Sequence, residues 1–353
     1  MIFILYLGII LFCIVRAMRL NQLNEFSMIL IIGLIFIAAF RFRYGYDYEN
    51  YYIIYIEING MSNVIHTIYE KGFALLIHIF RSSNMGFYSF MAFIAGTALL
   101  TKAIAINKIS VFPYVSWLVY FLSYLIYSDM EQMRFGLALG IVSLALAFEL
   151  QNHKITFNVL VLLATSFHYS AIFFVLFQFI SAKRYRKPFF MATFMIAIAL
   201  SFVNLFGVLG FINAQLLHNV YLSEKLALYA GQSGTVFSVT LLIRCWVFVS
   251  YYLFCSRSSS SRHLRLLNGY FAGILIFVGF NSIQQVALRG SIYFKYLEVF
   301  MIADMAYDLY LRRHQRNKKW LISALSLAAL LGYFILKFLL ILRDPVYGVY
   351  HGM

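Results

Sequence analysis

Long apolar runs recur along the whole chain and limit its fold more than any other feature. A helix that crosses a bilayer core needs about 20 apolar residues. Ten segments approach or reach that length: 1–17, 26–40, 87–101, 111–128, 132–150, 188–210, 236–255, 266–285, 292–311 and 320–342. The chain has 63% hydrophobic and 12% charged residues and a mean hydropathy of +0.83. This composition excludes a soluble fold for a chain of 353 residues.

The apolar stretch at 155–182 is predicted to form two short helices that meet near Phe167 and His168. The runs lack the alternation of a membrane β-barrel. The sequence therefore predicts an all-α, polytopic integral membrane protein with about 10–12 transmembrane helices. It forms one transmembrane domain over 1–353, with an extracytoplasmic loop at 41–71 and a helical, re-entrant hairpin at 155–182 whose outward tip lies near His168.

The placement of lysine and arginine predicts the orientation, because cytoplasmic connections are enriched in both. One topology puts these clusters on the cytoplasmic side: Arg16 and Arg19; Lys102 and Lys108; Lys154; Lys183, Arg184, Arg186 and Lys187; Arg257, Arg262 and Arg265; Arg312, Arg313, Arg316, Lys318 and Lys319. The net charge of +15 is then explained by the topology and by the attraction of basic residues to anionic membrane lipids. It does not indicate nucleic acid as a partner.

Arginines on the opposite side need another explanation. The run RFRYGYDYENYY at 41–52 places Arg41, Arg43 and Asp47 where the second helix leaves the membrane on the outward side. Tyr48 and Tyr51 belong either to an interfacial aromatic belt or to a surface that stacks on sugars. The D-x-E at 47–49 is too short to predict a metal site, and no other metal-ligand cluster supports one.

Three more arginines lie inside or at the start of apolar segments. A charge in mid-membrane costs at least ~2.5 kcal/mol, so Arg244 requires a partner or a wet cavity. Arg289 shares a helix face with Gln285 and Tyr293, because the three are spaced four apart. Such a face can present a guanidinium to a diphosphate. Arg134 begins an apolar segment on the outward side, and a local ion pair with Glu131 is its competing interpretation.

Five short motifs, in order along residues 41–294, resemble the EpsG-like branch of the Wzy-type polysaccharide polymerases. They are R-F-R-Y-G-Y-D-Y-E-N-Y from 41; E-K-G-F at 70–73, similar to the E-x-G-F element; M-R-F-G-L-A at 133–138, similar to R-Q-G-L-A with Phe135 in place of glutamine; F-H-Y-S-A at 167–171; and R-G-S-I-Y-F at 289–294.

The resemblance implies a glycosyltransferase in the bacterial inner membrane, with its active site facing the periplasm or exterior. It would polymerise oligosaccharide repeat units carried on undecaprenyl diphosphate into O-antigen or a related surface polysaccharide, without a metal or another cofactor, and a chain-length regulator protein would be a partner. In this interpretation His168 is the base and Asp47 positions the sugar. The diphosphate ligands are Arg134, Arg289, Arg41 and Arg43, and the other substrate contacts are Tyr48, Tyr51, Glu70, Gln285, Tyr293 and Arg244.

Two alternatives stay open on the sequence. A GT-C-type polyprenyl-dependent glycosyltransferase or ligase also uses outward carboxylates, but normally after the first helix. A flippase for lipid-linked oligosaccharides would line a central path with polar residues from both halves of the chain. Here the unexplained charges gather toward one face.

Overall fold

The described part of the chain is helical. The computed structural model describes residues 47–203, 238–255, 260–314 and 318–343, together with the separate residues 33, 34, 38, 207, 210, 211 and 213–217. No strand occurs among these residues. The prediction of an all-α protein is confirmed.

The helices fall into two compact units, which comprise residues 1–175 with 302–353, and residues 176–301. The helices that lie wholly in the first unit are α1 (Tyr48–Glu57), α2 (Met61–His66), α3 (Lys71–Ser82), α4 (Phe87–Ile109), α5 (Pro113–Tyr120), a π-helix (Phe121–Glu131), α6 (Met133–Leu150) and α7 (Lys154–Phe167). A 3₁₀ helix (Tyr169–Phe179) leads into the second unit, which holds α8 (Lys187–Ser201), a short π-helical turn (Asn213–Leu217), α9 (Val239–Cys255), α10 (Ser261–Gly279) and α11 (Gln284–Lys295). The chain returns to the first unit through α12 (Glu298–Leu311) and ends its described part with α13 (Lys318–Arg343).

Among the described residues, three helices are long and apolar enough to span a bilayer. They are α4, α6 and α13, and four shorter apolar segments of 10–17 residues accompany them. A bilayer core about 30 Å thick requires such lengths. The chain is therefore a membrane protein, and the total of 10–12 crossings stays a prediction.

Glycines allow α4 and α6 to pack closely. A Cβ on Gly140 would lie 2.4 Å from Thr101 Oγ1 and 2.7 Å from the carbonyl oxygen of Ala98. Further along, Lys108 lies 5.2 Å from the ring centroid of Phe148. Because residue numbers rise together along both helices, α4 and α6 run parallel. Small residues at such contacts are typical of membrane helix packing.

Three helix ends meet on one side of the first unit. After α6 the chain reverses through Asn152, which has a positive φ of 65°, so α7 runs back alongside α6 and ends beside its start. A Cβ on Gly72, at the start of α3, would lie 2.8 Å from the carbonyl oxygen of Ser166, at the end of α7. At His168 the backbone is extended, and Phe174 of the 3₁₀ helix packs back against Phe157. The starts of α3 and α6 and the end of α7 are therefore neighbours.

The described part of the predicted loop at 41–71 is mostly helical. Residues 41–46 lie outside the described residues. The tyrosines of α1 form an aromatic cluster with the helices that follow: Tyr51 contacts Phe73, and Tyr48 contacts Phe87. These contacts fix α1 against α3 and α4, and they account for the buried tyrosines by packing.

The second unit has its own aromatic core. Phe190 of α8 packs against Phe248 of α9 and Phe271 of α10, with ring centroids 5.1 and 4.8 Å away. A Cβ on Gly273 would lie 2.5 Å from the Cβ of Phe294, so α10 and α11 are in close contact.

One topology residue is not where the sequence placed it. The prediction put Lys102 in a cytoplasmic connection, but it lies inside α4 and is completely buried. Its ammonium is 2.5 Å from the carboxylate of Asp129, which also lies in an apolar segment. The prediction was wrong because, in the sequence, Lys102 and Asp129 each look like the end of an apolar run. Their ion pair forms only when the helices pack together.

Candidate functional site

Glu70 joins two of the predicted site residues at the meeting point of α3, α6 and α7. Arg134 Nη1 donates to Glu70 Oε2 at 2.5 Å, and His168 Nδ1 lies 3.3 Å from Glu70 Oε1. The three residues are 64 and 34 positions apart in sequence, at the start of α3, the start of α6 and the end of α7. Arg134 makes this long-range ion pair in place of the local pair with Glu131.

The carboxylate of Glu70 is held in its ionised form. Burial alone would raise its pKa, but His168 and the Arg134 charge outweigh burial and lower the pKa of Glu70 from 4.5 to about 2. Glu70 is therefore an anion at every physiological pH. It can orient a guanidinium and an imidazole together.

Aromatic rings surround the guanidinium of Arg134. Its Cζ lies 5.8 Å from the ring centroid of Tyr51, 5.5 Å from that of Tyr69 and 5.8 Å from that of Phe73. Cation–π contacts of this kind hold an arginine in one position. About 25% of the Arg134 side chain is accessible to solvent, so the guanidinium is held in position and can still be reached by a ligand.

His168 is similarly supported. Its ring packs edge-on against Phe135 with centroids 5.9 Å apart, and 12% of its side chain is accessible. Phe135 is the residue that stands in place of glutamine in the R-Q-G-L-A motif. In this chain the position next to Arg134 therefore supplies an apolar wall for the imidazole.

The other predicted residues of this region take supporting positions. Asp47 is half-buried just before α1, where its side chain accepts from Asn50 Nδ2 at 3.4 Å. Tyr48 and Tyr51 are both buried. Burial raises the pKa of Tyr51, so its phenol stays neutral beside Arg134. Arg41 and Arg43 lie outside the described residues.

Two other tyrosines are accessible near Glu70 and Arg134. Tyr69 is half-buried beside Arg134, and Tyr169 is exposed, with its hydroxyl within range of the charges of Glu70 and Arg134. The sequence analysis did not single out either residue. The sequence feature that could have indicated them is their position next to a motif residue: Tyr69 directly precedes Glu70, and Tyr169 directly follows His168.

The second unit holds the remaining predicted residues. Arg289 is exposed on α11 and forms no ion pair or hydrogen bond with the side chains that the structure describes. Gln285 is half-buried and Tyr293 is buried on the same helix, so the predicted stripe runs from the surface inward. Arg244 is buried in α9, donates to Ser291 Oγ at 2.9 Å and lies 4.2 Å from the Phe277 ring centroid.

The sequence indicated Glu70 only as a substrate contact, whereas in the fold it is the side chain that connects Arg134 and His168. No group of three or more His, Cys, Asp or Glu residues in the described segments is arranged to hold a metal ion. The Glu70 cluster brings together a guanidinium, that of Arg134, and an imidazole, that of His168, which both contact one carboxylate.

Comparison with known proteins shows which family this chain belongs to. Searches of curated proteins and of solved structures gave no match. The EpsG family model matches residues 24–344, which include Glu70, Arg134, His168 and Arg289. The chain thus belongs to the EpsG family of Wzy-like, polymerase-type membrane proteins.

Proposed function

We propose that this chain is a glycosyltransferase that joins oligosaccharide repeat units carried on undecaprenyl diphosphate into a surface polysaccharide. The observation that carries the proposal is the Glu70 carboxylate, which holds Arg134 and His168 together at one accessible cluster. A fixed cation beside an oriented imidazole suits the transfer of a sugar from a diphosphate leaving group. We further propose that this cluster faces the outside of the bacterial inner membrane.

In the proposed reaction, a sugar hydroxyl of one lipid-linked unit attacks the anomeric carbon of the growing chain. A new carbon–oxygen bond forms, and the bond from that carbon to the diphosphate oxygen breaks. The electron pair leaves with the lipid diphosphate, and the hydroxyl proton moves to the base. The reaction consumes no cofactor.

His168 is the proposed base. Because its Nδ1 faces the Glu70 carboxylate at 3.3 Å, Nε2 is the ring nitrogen that can accept the proton. A carboxylate that contacts the other ring nitrogen fixes both the tautomer and the ring orientation, and it stabilises the imidazolium that forms. A positioned base of this kind typically contributes ~10²–10⁴-fold to the rate.

Arg134 is a proposed ligand of the leaving diphosphate. A guanidinium has five N–H donors, and the ion pair with Glu70 uses Nη1. Charge that is arranged in advance stabilises a developing phosphate anion at no cost of reorganisation during the reaction. Arg289, exposed in the second unit, is a further proposed diphosphate ligand, with Gln285 beside it and Arg244 as a more deeply buried support. Arg41 and Arg43 stay proposed ligands from the preceding loop.

The sugars are proposed to contact accessible rings near the cluster. Tyr69 and Tyr169 offer such rings, whereas Tyr48 and Tyr51 are buried and would act by supporting α1 and Arg134. Asp47 remains the proposed group that positions a sugar hydroxyl, because it precedes the helix that carries Tyr51 and its charge acts on that phenol. A chain-length regulator protein remains a proposed partner.

The experiment that tests the proposed function is a gel of surface polysaccharide from the source bacterium with this chain deleted. Loss of the ladder with retention of the single-repeat band is the expected result, because repeats would still be made and exported but not joined. Loss of every repeat-bearing band would contradict the proposal. It would assign the chain to an earlier step, as a GT-C-type transferase or a flippase.

A further inference from the structure

A second buried polar cluster lies in the first unit, outside the Glu70 cluster. Lys102 is completely buried in α4, a helix that is long and apolar enough to span a bilayer. Its ammonium is 2.5 Å from Asp129 Oδ1, at the end of the π-helix, and 2.9 Å from the carbonyl oxygen of Gly136 in α6. One buried side chain therefore joins three helical elements.

The carboxylate of Asp129 has two donors besides Lys102. Ser128 Oγ donates to Asp129 Oδ2 at 2.5 Å, and the hydroxyl of Tyr120 donates to the same oxygen. A buried network of several hydrogen bonds to one carboxylate favours one local geometry. By contrast, a buried ion pair seldom adds net stability, since replacing both partners with apolar residues of similar volume is often neutral or stabilising. The presence of a buried ion pair between apolar helices therefore points to a role in geometry.

The part of the structure that this ion pair would position is the first turn of α6. Gly136 is two residues after Arg134, so the bond from Lys102 ends in the helical turn that carries the guanidinium. A Cβ on Gly136 would lie 2.3 Å from the carbonyl oxygen of Ser128, so the π-helix and α6 are in backbone contact at the same place. π-helical segments are rare in proteins, and those that do occur are often found at functional sites.

We infer that the pair Lys102–Asp129 is a positioning device that sets the height and direction of the first turn of α6, and with it the guanidinium of Arg134. Neither residue touches substrate; both act through Arg134. This inference rests on the proposed function for the role of Arg134.

The test replaces the pair by apolar residues, with the double variant Lys102→Met and Asp129→Leu, which leaves no buried charge unpaired. The purified protein is assayed for polymerisation in lipid nanodiscs. Turnover should fall on the order of 10²-fold, because a small misplacement of a substrate-binding group has that effect. The matched control is Ser143→Ala. Ser143 is a buried polar residue of α6 whose hydroxyl donates to the carbonyl oxygen of Leu139 in the same helix, and this variant should keep full turnover.

A mutant cycle separates positioning from a general structural role. In an Arg134→Lys background, which retains a charge but not the guanidinium fork, the same double substitution should lower turnover by less than about threefold, because residues that act together are not additive. An equal loss in both backgrounds would overturn the inference, and so would full turnover of the double variant. Failure of the double variant to accumulate would assign the pair to folding and would also overturn it.

A second readout does not depend on activity. Amide hydrogen exchange over residues 132–140 should accelerate in the double variant and stay unchanged in Ser143→Ala. Unchanged exchange in the double variant would contradict positioning. If the wild-type protein did not polymerise lipid-linked repeats at all, the proposed function would fail while the exchange result still decided the role of the pair.

Discussion

At the scale of single residues, Glu70 is the side chain that connects the candidate site, because it contacts both Arg134 and His168. The sequence placed His168 and Arg134 as candidates from their motifs and from their expected outward position, and the structure brings both to one carboxylate. Glu70 itself was a secondary candidate, because nothing in the order E-K-G-F shows which residues its side chain meets. Long-range pairing is a property of the fold, and here it depends on the close contact between Gly72 and Ser166.

The first prediction at this scale concerns the base. His168→Ala should lower polymerisation ~10²–10⁴-fold, because the acceptor hydroxyl loses its proton acceptor. Glu70→Gln should lower turnover less, since the imidazole remains but loses its orientation. Both rates are measured on purified protein with equal amounts in the membrane. Normal synthesis by His168→Ala would remove it as the base.

The second prediction concerns pH and stability. The pKa of Glu70 is lowered from 4.5 to about 2 in the folded protein, so its ionised form stabilises the fold. This stabilisation is fully present above pH 4.5 and is lost as the pH falls through about 2. The unfolding temperature in detergent should therefore fall more steeply over this window for the wild-type protein than for Glu70→Gln. Parallel curves for the two proteins would show that the carboxylate is not held as described.

At the scale of elements, the apolar runs predicted where helices lie better than where they end. The run at 132–150 corresponds closely to α6, and the predicted change at Phe167 and His168 coincides with the end of α7. The run at 111–128 contains α5 and most of a π-helix, which hydropathy cannot distinguish from a continuous α-helix. The run at 292–311 is divided between α11 and α12, because the first half of α11 is too polar to be found by hydropathy.

The prediction at this scale concerns the contact between the π-helix and α6. Gly136→Ala should destabilise the protein, because its Cβ would lie 2.3 Å from a backbone oxygen, and overpacking costs ~1–3 kcal/mol. A contact with backbone puts the cost at the upper end of that range, so a net loss of about 2 kcal/mol remains after the gain of about 1 kcal/mol from alanine in a helix. Turnover should also fall, because Arg134 is displaced. The control is Gly86→Ala before α4, where no atom lies within 4 Å of the added Cβ. Equal stability of both variants would contradict the close contact.

At the scale of the whole molecule, composition was sufficient to predict an all-α membrane protein, and the family match confirms the resemblance drawn from five short motifs. Charge placement was a weaker guide. It treated Lys102 as a topology signal, whereas the folded chain buries it with Asp129. An intramembrane lysine and an intramembrane aspartate that are 27 residues apart become a pair only when their helices pack.

Arg289 gives a prediction for the second unit. Its exposed side chain forms no ion pair or hydrogen bond within the described residues, so Arg289→Ala should change stability by no more than about 0.5 kcal/mol. Polymer synthesis should nevertheless be lost, because a diphosphate would lose a charged ligand. Arg289→Lys should retain partial activity, since it keeps the charge without the bidentate fork. Polymer made at normal levels by Arg289→Ala would exclude its proposed role.

The most direct test of the central claim is a reconstitution. The purified chain is placed in liposomes together with single lipid-linked repeat units extracted from the deletion strain, and the products are separated by size. A ladder of multiple repeats is expected with the wild-type protein, and none with His168→Ala. Repeat units that remain single in the presence of folded wild-type protein would contradict the claim.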